Sequence, residues 1–309
     1  MTQAVKRSNK IRQGMGDRIF GIINFFLVTL LIIFMIYPFY YCIILAFNDG
    51  YDAMKPGIYF WPRMFTLENF KNALSADGLL QAGLMSVLRT VIGTFCTVMV
   101  TAAFAYAATK PQLRFRKFYF VFMMIPMYFG GGLVPTYYLF QSMGILNTFW
   151  IYILPGLFSV YYALIFMAFF RELPPSLEES AMLDGASHIT MFFRLILPLS
   201  MPVIAAVCVF LAVGHWNSWM DTLYYARDNE HVFTLAYKFS QTAQQVDYLN
   251  KLAQEAAGEA AKIGQELRGS TSISIQLASM LISVVPVMAV YPFFQKYFVH
   301  GVMIGAVKG

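Results

Sequence analysis

What most limits the fold of this chain is a set of six apolar runs, 19–47, 84–108, 118–140, 149–170, 199–220 and 273–294. An α-helix rising 1.5 Å per residue needs about 20 residues to cross the ~30 Å hydrocarbon core of a bilayer, and every run is long enough. In lipid, backbone N–H and C=O groups must be satisfied by the protein itself, so runs of this kind become helices. The predicted fold class is an all-α polytopic membrane protein, with a six-helix transmembrane domain over 19–298 between tails 1–18 and 299–309. With 59% hydrophobic and 12% charged residues and a mean hydropathy of +0.59, the chain is too apolar for a soluble globular domain. The net charge of +6 does not point to nucleic acid, because the basic residues are scattered around the span ends rather than gathered on one face.

Lys6, Arg7, Lys10, Arg12 and Arg18 precede the first run, as they would in a signal peptide. The run exceeds the about 7–15 apolar residues of a cleaved signal and lacks a small-x-small exit, so it reads as a retained first span. Cytoplasmic loops carry the excess of Lys and Arg. The N-terminal tail and the loop of Lys110, Arg114, Arg116 and Lys117 are basic, whereas 141–148 has no basic residue. Both termini and segment 171–198 are therefore expected on the cytoplasmic side, with 48–83 and the extracellular loop 221–272 outside. Cys42, Cys96 and Cys208 lie in apolar runs without paired spacing and read as buried small hydrophobes.

Segment 171–198 is a polar island between the fourth and fifth spans, longer and more patterned than a simple connection needs. Pro174 and Pro175 stop the preceding helix, Ser176 is placed to cap a new one, and Glu178 and Glu179 suit its positive N-terminal end. The pattern predicts a short helix from about Leu177 to Gly185, where glycine permits a left-handed turn. A second helix follows, with Ile189, Phe192, Phe193 and Ile196 leading back to the membrane. Glu179-Ser180-Ala181, three residues, Gly185, nine residues and Leu195-Ile196-Leu197-Pro198 resemble the EAA loop of membrane subunits of ATP-binding-cassette (ABC) importers. Ser180 stands for the second Ala and Leu195 for Ile, both small changes in volume.

The resemblance implies a type I importer (MetI-like) permease fold. It also implies that Glu178, Glu179, Ala181, Asp184, Gly185 and Ala186 couple to an ATPase, with Glu179 meeting a basic residue and Gly185 setting the turn. Gly132-Leu133-Val134-Pro135-Thr136-Tyr137, the Trp216-Asn217 pair and the Gly-Ala-Val-Lys-Gly terminus resemble the carbohydrate (CUT1) branch, the MalG-like and LplC-like permeases. The tail with Lys308 is then expected to reach the ATPase pair. Implied partners are a second homologous permease, two ATPases that use ATP and Mg, an extracellular solute-binding protein and a sugar. No cofactor is expected on this chain.

Three features bear on a pathway. Pro126, Gly130, Gly131, Gly132 and Pro135 interrupt the third run, either lining a watery cavity or permitting close helix packing. Arg89 and the stretch 214–221, with Trp216, Asn217 and Trp219, either meet substrate or serve as a snorkelling arginine and an interfacial aromatic belt. In the loop before the last run, Val246, Leu249, Leu252, Ala253, Ala256, Ala260, Ile263 and Leu267 recur at helical spacing and predict an amphipathic helix. The sequence contains no G-x-x-x-x-G-K-[ST] run, and neither its four histidines nor its polar residues form a metal or triad pattern. The chain is thus expected not to be an enzyme. A secondary transporter, the alternative class, would need repeats and midplane ion ligands; a non-sugar ABC permease is a further alternative that the EAA loop does not separate.

Overall fold

The computed structural model describes residues 14–75, 77–255 and 270–306, and over these it is helical apart from one isolated antiparallel bridge between Asn48 and Phe65. The first apolar run forms α1 (Met15–Ala46), which at 1.5 Å per residue is about 48 Å long. It is buried only at Ile44 and Ala46, so nearly all of its apolar surface awaits lipid or another chain. Behind it lie α2 (Gly50–Ala53), capped by the Asp49 carboxylate, and α3 (Glu68–Leu74). Asn69 ties these ends together, its amide donating to the carbonyls of Ala46 (2.9 Å) and Asn48 (2.8 Å).

The centre is α4 (Leu79–Thr109), which buries Ala82, Ser86, Gly93, Thr97, Thr101, Ala102 and Ala105. Small residues let neighbouring backbones approach. A Cβ added at Gly93 would stand 2.7 Å from the His215 ring nitrogen, so glycine is needed there for the helix carrying His215 to come in. The main core packs Val98, Ala102 and Tyr106 of α4 against Met123, Phe166, Phe170, Phe192, Ile196 and Val207.

Three of the predicted spans are broken. In the third, α5 (Arg116–Tyr128) and α6 (Leu133–Ser142) meet at 118°. The chain therefore turns back rather than kinking, and α5 alone, about 20 Å long, is too short to cross a bilayer. In the fourth, two 3-10 turns, Phe149–Tyr152 and Leu154–Gly156, precede α7 (Val160–Glu172) at 48°. Threonines of α4 satisfy the freed backbone: Thr97 donates to the Gly156 carbonyl at 2.7 Å, and Thr101 accepts from the Ser159 N–H at 3.2 Å.

Next come α8 (Pro175–Leu183), α9 (His188–Met191), a π-helical turn (Phe192–Ile196), α10 (Leu197–Leu199) and α11 (Met201–Asn217), with an 81° bend into α11. Phe192 and Ile196 enter the core, whereas Ile189 in α9 and Phe193 in the π turn are exposed. After α12 (Met220–Tyr225) and a 3-10 turn (Glu230–Val232) runs α13 (Leu235–Glu255). It is the predicted loop helix, begun at Leu235 rather than Val246. It is not merely solvated: Tyr237, Phe239 and Ala243 are buried, and it packs on α4 and on α14 (Ser272–Ala306). Residues 256–269 lie outside the described ones. Among the described residues only α1 and α4 are long and apolar enough to cross a membrane alone; the bent pairs bring the number there to at most five, and the apolar part of α14, Ile273–Ala289, is shorter.

Candidate functional site

At the Lys110 end of α4, α8 projects without a single buried residue. It begins two residues before the predicted start, with Pro175 in its first turn, where a missing N–H is harmless. Ser176 is therefore inside the helix and not its cap. The far end closes by hydrogen bonds from Ala186 N–H to the Ala181 carbonyl (2.9 Å) and from Gly185 N–H to the Met182 carbonyl (3.0 Å), with Gly185 at φ +81°. This is the Schellman closure, and it explains Ala181, Gly185 and Ala186 as one turn.

Successive residues on a helix are 100° apart, so the two glutamates part company. Glu178, half-buried beside Ala181, forms an ion pair with Lys110 of the same chain, and the Lys110 ammonium lies 3.9 Å from the centre of the Tyr106 ring. Glu179, Ser180 and Leu183 occupy the opposite, exposed face, with Leu183 89% exposed. Asp184 is exposed at the C-cap, where a carboxylate opposes the helix dipole by about 0.3–1 kcal/mol. The outward face thus presents an apolar side chain and two acids, Glu179 and Asp184, whose carboxylates pair with no side chain among the described residues. Lys308 lies outside the described residues.

The other sequence candidates fall in separate places. Gly131 and Gly132 sit exposed at the α5–α6 turn, Gly132 at φ +79°, and no atom lies within 4 Å of a Cβ built on either. Close packing within this chain is therefore not their role. Tyr137 stacks on Tyr225, centroids 6.4 Å apart, and helps line a hollow of about 230 Å³ with Leu133, Val134, Tyr138 and Tyr224. Trp216 does not line that hollow: its indole N–H donates to the Ser283 carbonyl at 2.9 Å, joining α11 to α14. Asn217 and Trp219 line another cavity, of about 430 Å³, between the end of α11, α13 and α14.

Arg89 is only 3% exposed and does not snorkel. Its guanidinium pairs with the Asp221 carboxylate, donates to the Ser218 carbonyl at 3.1 Å and lies 4.6 Å from the Tyr152 ring centre. Tyr152 in turn donates to the Val232 carbonyl at 2.8 Å. This end of α4 is a clamp. The pairing with Asp221 was not predicted, although a lone arginine within an apolar run demands a counter-ion and that rule could have found it; nothing local marked Lys110, Asn48 or Asn69.

A family model described as binding-protein-dependent transport system inner membrane component matches residues 98–304, a span that takes in α8 and the closure at Gly185. The chain belongs to this family. As an inner-membrane transport component it is also 34% identical over 296 residues to protein LplC of Bacillus subtilis (strain 168), covering 95% of this chain and 96% of the relative. It is 30% identical over 297 residues to the polygalacturonan/rhamnogalacturonan transport system permease protein YtcP of the same organism, covering 96% and 100%. Its fold is similar to a chain of the crystal structure of a bacterial ABC transporter involved in the import of the acidic polysaccharide alginate. That likeness has a TM-score of 0.72 at 22% identity and covers 93% of this chain and 99% of that one. The family is one of transport permeases rather than enzymes.

Proposed function

We infer that this permease component imports a sugar, in the form of an oligosaccharide handed over by an extracellular solute-binding protein, using ATP and Mg bound by partner ATPases. The observation that carries the coupling half of this reading is the outward face of α8, whose Glu179, Ser180 and Leu183 have no use inside the chain. The sugar half draws on the YtcP name and on the alginate importer, with Tyr137, Asn217 and Trp219 as pathway residues and Gly131 and Gly132 turning the chain beside them.

In this reading α8 lies in a groove of one ATPase, Glu179 meets a basic residue there, and Asp184 finds its counter-charge in the same groove. A second, homologous permease covers α1 and closes the pathway, and the Lys308 tail follows the ATPase pair. Both termini are cytoplasmic. When ATP closes the ATPase dimer, α8 moves, and the Lys110–Glu178 pair passes that movement to α4 and so to the core around Tyr106. Driving such a two-state element from 1:99 to 99:1 takes about 5.5 kcal/mol of differential binding, and docking of two permease chains on two ATPases shares that load.

The test is uptake of radiolabelled oligosaccharide into proteoliposomes holding the assembled complex, with ATP inside and loaded binding protein outside. Import that requires both is the expected result. Import driven by an ion gradient without ATP would remove the reading in favour of a secondary transporter.

A further inference from the structure

The cavity of about 430 Å³ at the end of α11 lies within the about 300–1,000 Å³ range of small-ligand sites. Its walls come from three elements: Asn217 and Trp219 after α11, Ser240 from α13, and Gln276, Ser279 and Ser283 from α14. Five of these six carry an amide or hydroxyl, groups that both donate and accept hydrogen bonds. Ser279 is 4% exposed, and its hydroxyl is buried without a hydrogen-bond partner. A buried hydroxyl left unpaired is unfavourable, so a partner arriving in the cavity would relieve it.

Among the described residues that line the cavity none is Asp, Glu, Lys, Arg or His. The nearest acid in sequence, Asp221, is already held by Arg89. A carboxylate entering here would lose water and find no counter-charge, whereas a neutral polyol would find matching donors and acceptors, with Trp219 and Phe239 to cover its C–H faces.

We propose that this cavity is a subsite of this chain for one uncharged sugar unit of the transported glycan, held by Asn217, Ser240, Gln276, Ser279 and Ser283 against Trp219. The proposal rests on the sugar-permease reading above and narrows it, because it excludes a uronate at this position. It also gives α13 a purpose, as one wall of the cavity.

The test uses the assembled complex with Cys42, Cys96 and Cys208 replaced by serine and Ser283→Cys introduced, at a cavity-lining position that is half-buried. A small water-soluble methanethiosulfonate should modify the new thiol. Loaded binding protein carrying short neutral arabino-, xylo- or malto-oligosaccharides should slow the modification about tenfold, the effect of filling a site to some nine-tenths, while oligogalacturonides should not. In uptake, Ser279→Leu should raise the apparent KM for the neutral glycan about tenfold, the loss of one hydrogen bond and some shape, in a complex that still co-purifies with its partners. No modification of Ser283→Cys would mean that the cavity is filled in the assembled complex, and would overturn the proposal. So would protection by oligogalacturonides alone, or wild-type uptake by Ser279→Leu. If the wild-type complex imports glycans while both variants behave as wild type, only the subsite fails. If it imports none of these sugars, the sugar reading fails with it.

Discussion

Two adjacent glutamates on α8 carry opposite duties, and the difference is measurable. Glu178 balances Lys110, whose side chain is only 16% exposed, so Glu178→Gln should lower stability by about 1–3 kcal/mol through an unpaired, half-buried ammonium. Thermal unfolding of the purified complex in detergent reads this. Glu179→Lys changes an exposed group and should leave the melting temperature in place while abolishing the ATP hydrolysis that loaded binding protein stimulates. At Gly185 the space is open and only the backbone objects, since φ is +81°. Gly185→Val should therefore lose about 1–2 kcal/mol and uncouple transport, and Gly185→Asn should retain most of both, because Asn tolerates this conformation. Gly185 as the turn and the helix before it were legible in the sequence, though the helix starts two residues earlier than predicted because Pro175 lies inside its first turn. That Glu178 turns inward was not, because its partner Lys110 is 68 residues away and no local pattern relates them.

Between elements, the tightest constraints are a clamp and a close approach. Asp221→Ala would strand the Arg89 guanidinium in the core of the clamp at a cost of about 3–5 kcal/mol, and α12 should loosen from α4, visible as faster amide exchange over 220–225. Gly93→Ala pushes a methyl group into the His215 ring and should cost about 1–3 kcal/mol by overpacking. His215→Ala in the same chain should return much of it, so a double-mutant cycle would show strong coupling.

The loop after α1 adds a pH-dependent tie. Donation from Asn48 lowers the Asp52 pKa, and Arg63 adds to this against the opposing effect of desolvation. A carboxylate whose folded pKa lies below its unfolded one stabilises fully above the unfolded value of ~3.9. That contribution disappears as pH falls through the folded value, so protease nicking of segment 48–66 should rise only under strongly acidic conditions. At this scale the sequence showed where the third run breaks, at Gly130–Gly132, but not how sharply, and it did not show the breaks in the fourth and fifth. The 118° turn and the π-helical stretch depend on what packs around them, and hydrophobic periodicity carries no such information.

As a whole, the molecule is incomplete by itself. A 32-residue apolar helix with two buried residues and a projecting α8 with none describe a part made to be surrounded; in the proposed reading lipid and a second permease cover α1 and an ATPase covers α8. The apolar runs made the membrane and the helical class plain, and the 179–198 pattern made the projecting helix and its glycine turn plain. Which side chains face the pathway was obscure, because Trp216, Asn217 and Trp219 are neighbours in sequence yet divide between an α11–α14 strut and a cavity wall.

The central claim is that movement of α8 enters the transmembrane core through the Lys110–Glu178 pair. The most direct check is the number of ATP molecules hydrolysed per sugar imported, measured in proteoliposomes for Lys110→Glu, Glu178→Lys and the double exchange at equal assembly. The account predicts that each single reversal raises this ratio several-fold and that the double exchange brings it back close to the wild-type value. An unchanged ratio in both single reversals would contradict it.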